Sequence, residues 1–306
     1  MTLFDDRGRQ ISLPGSPRRV VSLVPSDTLT VAALGCGASL VGRTDYCELP
    51  EDLVKRIPSV GGTKNPSVDK VLDLSPDLVL ANQEENTKKD LEAIASRGVV
   101  VFVAFPKRVA EGIAHMARLA RLFRVQGDPA VKELCKAGYE ALREAEQARS
   151  RRPGIKVFCP IWMTPLMTIH GDTFISDMLS LAGAENIFKD RERRYPLAAD
   201  LGAAAAWTVD QVGDRDTRYP RVTMEEVNRR DPGLVLLPDE PHPFSDADAA
   251  VFRSQPTTAA RAGQVVKTSG KDLCWYGSRS VEALPRLRAL LAHLGGGEEQ
   301  KPLMQR

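Results

Sequence analysis

The sequence predicts an α/β protein of two lobes, each built on a parallel sheet, joined by one long helix with a ligand cleft between them. Three observations predict it. A segment beginning at Val68 recurs about 156 residues later with matching chemistry. Short buried-strand runs alternate with helical stretches in both halves, the pattern of parallel α/β sheets. One amphipathic helix with no Gly/Ser linker separates the halves in the chain. The first copy of the repeat runs from Val68 through Pro76-Asp77 to Leu78-Val79-Leu80-Ala81. The second runs from Met224 through Pro232-Gly233 to Leu234-Val235-Leu236-Leu237. The shift superimposes Pro76 on Pro232 and the acid Asp69 on the acid Glu225. Each copy predicts a short helix, a proline-marked turn and a buried strand that opens into a polar loop. Those loops are Asn82-Gln83-Glu84-Glu85-Asn86 and Pro238-Asp239-Glu240-Pro241-His242.

In order along the chain, a short leader reads as a hairpin or edge segment. Residues 19–24 form a largely apolar run ending at Pro25-Ser26, as a buried parallel strand does. Asp27 predicts the N-cap of a helix over 28–34, which Gly35-Cys36-Gly37 stops. A second short strand at 40–42 leads into a loop over 43–47, and Gly61-Gly62-Thr63 makes a turn before the first repeat copy. A helix over 88–97 precedes the strongest strand signal, 99–105. Residues 109–123 are amphipathic. Asp128-Pro129 then reads as an N-cap with proline at the first helical position. Val131, Leu134, Cys135, Gly138, Leu142 and Ala145 keep a helical stripe. Arg149, Arg151 and Arg152 suit the helix's negative end, and Pro153-Gly154 stops it. A strand over 155–160 opens the second lobe, and Gly171-Asp172-Thr173-Phe174 leads a helix that ends at Ala182-Gly183. A last helix spans 280–294, followed by a tail expected to be disordered. The expected division is 1–107 for the N-terminal lobe, 108–152 for the connecting helices and 153–306 for the C-terminal lobe.

Bulk properties narrow the function classes. A chain of 306 residues accommodates two cores. A formal net charge of +2, with only short basic runs, gives no electrostatic footprint for nucleic acid. No apolar run approaches the roughly 20 residues that span a bilayer, so no membrane insertion is expected. The five cysteines contain no C-x-x-C, and most are expected to be buried free thiols. The N-terminus lacks a basic region followed by an apolar one. The chain therefore reads as cytoplasmic as written, and as periplasmic or cell-surface if the true start lies upstream or a signal was removed. No G-x-G-x-x-G or P-loop follows a strand, and no Ser/His/Asp arrangement is signalled. An enzyme is not expected. A zinc or manganese receptor would need converging His and carboxylates, and only His170, Asp172, His242 and Asp239 are candidates.

The chain resembles the cobalamin-type substrate-binding proteins of ABC importers. The stretches that carry the likeness are Arg19-Val20-Val21-Ser22-Leu23-Val24-Pro25-Ser26, Gly42-Arg43-Thr44-Asp45-Tyr46-Cys47, Val60-Gly61-Gly62-Thr63-Lys64-Asn65-Pro66 and Pro76-Asp77-Leu78-Val79-Leu80. It continues through Gly171-Asp172-Thr173-Phe174, Ala182-Gly183-Ala184-Glu185-Asn186-Ile187-Phe188 and Trp275-Tyr276-Gly277-Ser278-Arg279, covering about residues 10–294. The resemblance implies two Rossmann-like lobes around a rigid interdomain helix, with no catalysis. It implies a bound ligand, cobalamin or a related corrinoid, with haem or a ferric siderophore as the alternatives on the same architecture. The missing export signal adds a further expectation, a cytoplasmic corrinoid-handling or sensing protein that reuses the fold without a transporter.

Mapped onto this sequence, the ligand would meet Pro25, Ser26, Tyr46, Lys64, Asn65, Asn82, Gln83, Glu84, Trp162, Asp172, Tyr195, Asp239, Trp275, Tyr276 and Arg279. Tyr46, Trp162, Tyr195, Trp275 and Tyr276 would supply flat apolar walls, while Asn65, Asn82, Gln83 and Arg279 would serve amide groups. Trp207 and Tyr139 are assigned to packing, and Cys47 to a packed thiol. The resemblance further implies a monomer that presents one acid per lobe to ABC importer permease subunits. Asp69 and Glu225 fit that role, with Glu226 as runner-up; acids at helix starts also simply favour the dipole.

Overall fold

The computed structural model describes residues 3–150 and 154–295. The expected helix stop at Pro153, the cations Arg151 and Arg152, and the expected disordered tail lie outside those residues. The chain divides into two compact units. The first runs to Ala141 and adds Trp275–Glu282; the second is Leu142–Cys274 and the chain from Ala283. The segment Trp275–Glu282 thus groups with the first unit, whereas the sequence reading puts it in the C-terminal lobe.

Each unit contains one four-stranded parallel sheet. In the first, β1 (Val20–Ser22), β2 (Leu40–Arg43), β3 (Leu78–Asn82) and β4 (Val100–Ala104) lie in the order β2-β1-β3-β4. In the second, β5 (Ile155–Phe158), β6 (Ala184–Asn186), β7 (Leu234–Pro238) and β8 (Val265–Thr268) lie in the order β6-β5-β7-β8. The two orders are one topology used twice. In each, the chain steps outward from the first strand and then crosses to its other side. That puts a topological switch point between the first and third strands, where open parallel sheets bind ligands at their carboxyl ends. All five residues of β3 and all five of β7 are buried, which is why both read as continuous apolar runs.

The helices that frame the sites are α1 (Pro25–Ala33), α2 (Val68–Asp73), α3 (Val109–Leu122), α4 (Pro129–Arg149), α5 (Met224–Arg230) and α6 (Ser278–Gly295). The unit boundary falls inside α4, whose 21 residues make a rod of about 31 Å. Helix α6 is likewise shared, after Glu282. The leader is a hairpin, Leu3–Phe4 pairing antiparallel with Gln10–Ile11.

The repeat is realised residue for residue. A shift of 156 carries α2 onto α5 at its start and β3 onto β7 at both ends. The same shift carries Ser67 onto Thr223; each hydroxyl caps its helix by accepting from the main-chain N–H three residues on. It also carries Ser75 (φ 46°) onto Asp231 (φ 44°), a left-handed residue that turns the chain from helix to strand in both units. Inward-facing Val79 and Ala81 join one core with Val21, Val71, Leu91 and Ile94. Their counterparts Val235 and Leu237 join another with Phe158, Val227 and Phe252.

Helix α1 starts earlier than expected. Val24 occupies the N-cap and Pro25 the first helical position, where a missing N–H costs nothing. Asp27 is therefore not the cap. It lies inside the first turn, fully buried, with its Oδ1 2.8 Å from Nε2 of the equally buried His115. All five cysteines are free thiols. Burial pushes Cys159 up to about 12, which makes it inert packing.

Candidate functional site

In the first unit the switch point lies between the ends of β1 and β3. Pro25 and Ser26, three and four residues past β1, open the first turn of α1; Ser26 is buried and its carbonyl accepts from the Thr30 hydroxyl. At the end of β3, Asn82 is buried and turned inward. Its Oδ1 accepts from the Glu84 and Glu85 amides, and its own N–H donates to Asn86 Oδ1. Asn86 Nδ2 in turn donates to the Leu23 and Thr63 carbonyls. Asn82 therefore shapes its loop: its acceptor is spent on the backbone, and its side-chain nitrogen donates to the Tyr276 hydroxyl at 3.4 Å.

The neighbouring loops present what Asn82 does not. Tyr46, three residues past β2, is 61% exposed. Gly62 lets the turn close against it: a Cβ there would collide with the Asn65 side-chain oxygen and lie 3.6 Å from the Tyr46 ring. Lys64 donates Nζ to the Glu84 carbonyl, tying the loop after β2 to the loop after β3. Tyr46, Lys64, Asn65, Gln83 and Glu84 are thus brought together, with Tyr46, Lys64, Asn65 and Gln83 exposed.

Trp275, Tyr276 and Arg279 belong to the segment that rejoins this unit. Trp275 and Tyr276 are each only 5% exposed, so neither offers an open wall. Tyr276 packs edge-on against His115, 5.5 Å between ring centroids, and its hydroxyl accepts from Asn82 Nδ2 at 3.4 Å. Burial, then the nearby Asp27 carboxylate, pushes its phenol well above the ordinary tyrosine range. Tyr276 is a strut that holds the segment Trp275–Glu282 to β3 and α3 within the first unit. Gly277 (φ 75°) permits the closest approach, since any Cβ would run into the Thr30 hydroxyl, and the Ser278 amide donates to that hydroxyl.

In the second unit the switch point lies between β5 and β7. Trp162, just past β5, is 43% exposed, and its Nε1 donates to the Thr164 carbonyl. Its indole packs against His242, in the loop after β7, at 5.4 Å between centroids. His242 packs edge-on against Phe244 at 4.6 Å. This backed indole joins the two loops across the switch point, a flat surface of fixed orientation. Composition could not disclose His242 as its support, because the two residues are far apart in the chain. Asp239 accepts from the Gly270 amide at 2.7 Å and is otherwise exposed. Asp172 precedes the actual cap, Thr173, and its amide donates to His170 Nδ1. No cluster of three His, Cys, Asp or Glu suited to a metal ion exists among the described residues.

Tyr195 lies in the long connection between β6 and α5. It stacks on Trp207 at 6.0 Å and 21°, and its hydroxyl donates to the Asp216 carbonyl. Trp207 is 38% exposed and Tyr139 is exposed as well, so the assignment of both to core packing is corrected. The glycine- and alanine-rich run before Trp207 has no hydrophobic period that could have placed it.

The two acids of the repeat stand on equivalent helices. Asp69 and Glu225 are both exposed in their first turns. A main-chain hydrogen bond, then the Thr223 hydroxyl, holds Glu225 below the ordinary glutamate range. Glu226, the runner-up, is engaged elsewhere: it pairs with Arg191 at 3.3 Å and Arg230 at 3.6 Å.

Comparison with known proteins gives a consistent picture. Residues 20–271 match the profile of a family described as periplasmic binding protein. A protein named vitamin B12-binding protein from Yersinia pestis (strain Pestoides F) is 30% identical over 231 residues, 74% of this chain and 72% of that protein. The crystal structure of the periplasmic vitamin B12 binding protein BtuF of Vibrio cholerae superposes with a TM-score of 0.71 at 20% identity, covering 92% of this chain and all of that one. The periplasmic heme-binding protein RhuT from Roseiflexus sp. RS-1 gives 0.72 at 18% identity, covering 90% and 98%. No helix among the described residues is long and apolar enough to cross a membrane.

Proposed function

The chain belongs to the periplasmic binding protein family, and from that premise we propose that it captures cobalamin or a related corrinoid for delivery to an ABC importer. Membership makes it a solute-binding protein, not an enzyme. The observation that carries the ligand reading is the pair of exposed aromatic surfaces beside the switch points, Tyr46 in one unit and the backed Trp162 in the other. A flat macrocycle is well served by such surfaces, because a rigid ring loses little conformational entropy when it stacks. The relative named for vitamin B12 supports the corrinoid. Haem is the second reading, supported by the likeness to a heme-binding protein.

In the first unit the residues placed to serve such a ligand are Tyr46, Lys64, Asn65, Gln83 and Glu84; in the second, taken by itself, they are Trp162, Tyr195 and Asp239. Asp69 and Glu225 dock on cationic pockets of the permease. Titration with cyanocobalamin, haemin and a ferric siderophore, followed by tryptophan fluorescence and the ligands' visible bands, tests the ligand. Saturable binding of cyanocobalamin with a response lost in Trp162→Phe is expected; no binding of any of the three overturns the reading. The double variant Asp69→Arg/Glu225→Arg is expected to bind ligand normally and to abolish stimulation of the transporter. Uptake that survives the double reversal removes these acids from the docking surface.

A further inference from the structure

The connection between β6 and α5, residues 187–223, is longer than its counterpart between β2 and α2, residues 44–67. Its tip holds two guanidinium groups on one aromatic stack. Arg193 lies 4.6 Å from the Tyr195 ring centroid; Arg215 lies 6.0 Å from that ring and 5.2 Å from the Trp207 ring. Other arginines nearby face carboxylates: Arg191 faces Asp200 and Glu226, Arg218 faces Asp216 and Arg221 faces Asp200. Arg193 and Arg215 face none among the described residues. Arg193 Nε is buried without a hydrogen-bond partner, and one nitrogen of Arg215 donates to the Gln211 and Val212 carbonyls.

The stack is held in place by the backbone. The Arg193 amide donates to the Thr217 carbonyl and the Trp207 amide to the Tyr195 carbonyl. The far end of the connection pairs with the stretch that follows β5: the Thr168 and His170 amides donate to the Pro220 and Arg218 carbonyls. That pairing fixes the connection on the carboxyl-end side of the second sheet, the same side as Trp162.

We propose that Arg193 and Arg215, seated on Tyr195 and Trp207, bind an anionic oxygen group carried by a flat macrocyclic ligand. This rests on the macrocycle-binding reading above. Both guanidinium groups sit at the Tyr195–Trp207 stack and neither is ion-paired with a carboxylate among the described residues, so an anion there gains from charge that no acid has yet neutralised. A guanidinium held over an aromatic ring keeps N–H donors for a carboxylate or phosphate oxygen, and its charge is stabilised by the ring face. The group could be the phosphodiester of a corrinoid's nucleotide arm or the carboxylate of a porphyrin.

The test compares wild type with Arg193→Gln/Arg215→Gln on matched ligands, cyanocobalamin against dicyanocobinamide, which lacks the phosphodiester, and haemin against haemin dimethyl ester. The expected result is a loss of tenfold or more in affinity for the member that bears the anion and little change for its neutral partner. Whichever pair shows the difference identifies the source of the anion. Equal losses within both pairs, or no loss in either, overturn the proposal. If wild type binds none of the four, the macrocycle reading fails, and the site is judged by inorganic phosphate alone. A phosphate-dependent fluorescence change that vanishes in Trp207→Phe and in the double glutamine variant then upholds an anion site, and its absence in wild type overturns it.

Discussion

Helices α2 and α5 are the same object by backbone and different objects by charge. Both follow a hydroxyl cap, both carry an exposed acid in the first turn, and both end on a left-handed residue before a buried strand. The position after the acid separates them. In α2 it is Lys70, exposed to solvent. In α5 it is Glu226, which meets Arg191, and Arg191 is 6% exposed and paired with the buried Asp200. Asp200 also accepts from the Arg194 and Arg221 amides, so one carboxylate gathers the whole connection and fastens it to α5. Duplication has conserved the elements that set strand position. Divergence has gone into a polar knot on α5 that has no counterpart on α2 among the described residues.

The largest effect is expected from cutting that knot. Asp200→Ala leaves Arg191 buried with one carboxylate fewer, and removing one partner of a buried pair costs about 3–5 kcal/mol. Lys70→Ala, at the position equivalent to Glu226, is expected to cost under about 0.5 kcal/mol, as exposed substitutions do. Hydrogen exchange of β7 against β3 amides reads the two units separately. Loss of protection confined to β7 in Asp200→Ala supports the comparison, and equal loss in both units breaks it.

That knot also marks where sequence reasoning stops. The repeat was legible because parallel strands covered on both faces must be apolar along their length, and Pro76 and Pro232 punctuate them at one spacing. That Tyr46 and Trp162 lie exposed past strand ends was legible, because in each case the apolar run stops a few residues before the ring. Asp27 was misread because a carboxylate before a helical stretch usually caps it; its partner His115 lies 88 residues away, and nothing local announces it. Tyr276 was misread for the same reason, since its burial depends on α3 and β3. Arginines at 191, 193 and 194 look alike in the chain, and only the fold separates the paired Arg191 from the ring-seated Arg193.

Next in size are the caps. Ser67→Ala and Thr223→Ala each remove a hydroxyl that accepts from the third helical N–H, a loss of about 1 kcal/mol. Because the geometry repeats, the two losses are expected to agree within about 0.5 kcal/mol in urea unfolding. A much larger loss for Thr223→Ala would show that the knot on α5 also depends on its cap.

The smallest effect sharpens the comparison most, because it is expected to change sign between the units. Ser75 and Asp231 share a left-handed backbone that glycine adopts without a Cβ penalty. The Ser75 side chain makes no hydrogen bond among the described residues, so Ser75→Gly is expected to stabilise by about 0.5 kcal/mol. Asp231 is different: its carboxylate accepts from the Thr258 amide at 2.6 Å and the Thr258 hydroxyl at 2.8 Å. Those two bonds, the amide first, hold Asp231 below the ordinary aspartate value of 3.8. Asp231→Gly is therefore expected to destabilise at neutral pH. A lowered folded value means that this contribution is fully present above pH 3.8 and is lost as the pH falls through the folded value. The gap between wild type and Asp231→Gly should accordingly narrow in acid, while the Ser75→Gly difference stays flat. Melting curves at pH 7 and toward pH 3 check both signs. If both glycine variants stabilise at pH 7, the Asp231–Thr258 bonds contribute nothing, and the two turns are equivalent in energy as well as in shape.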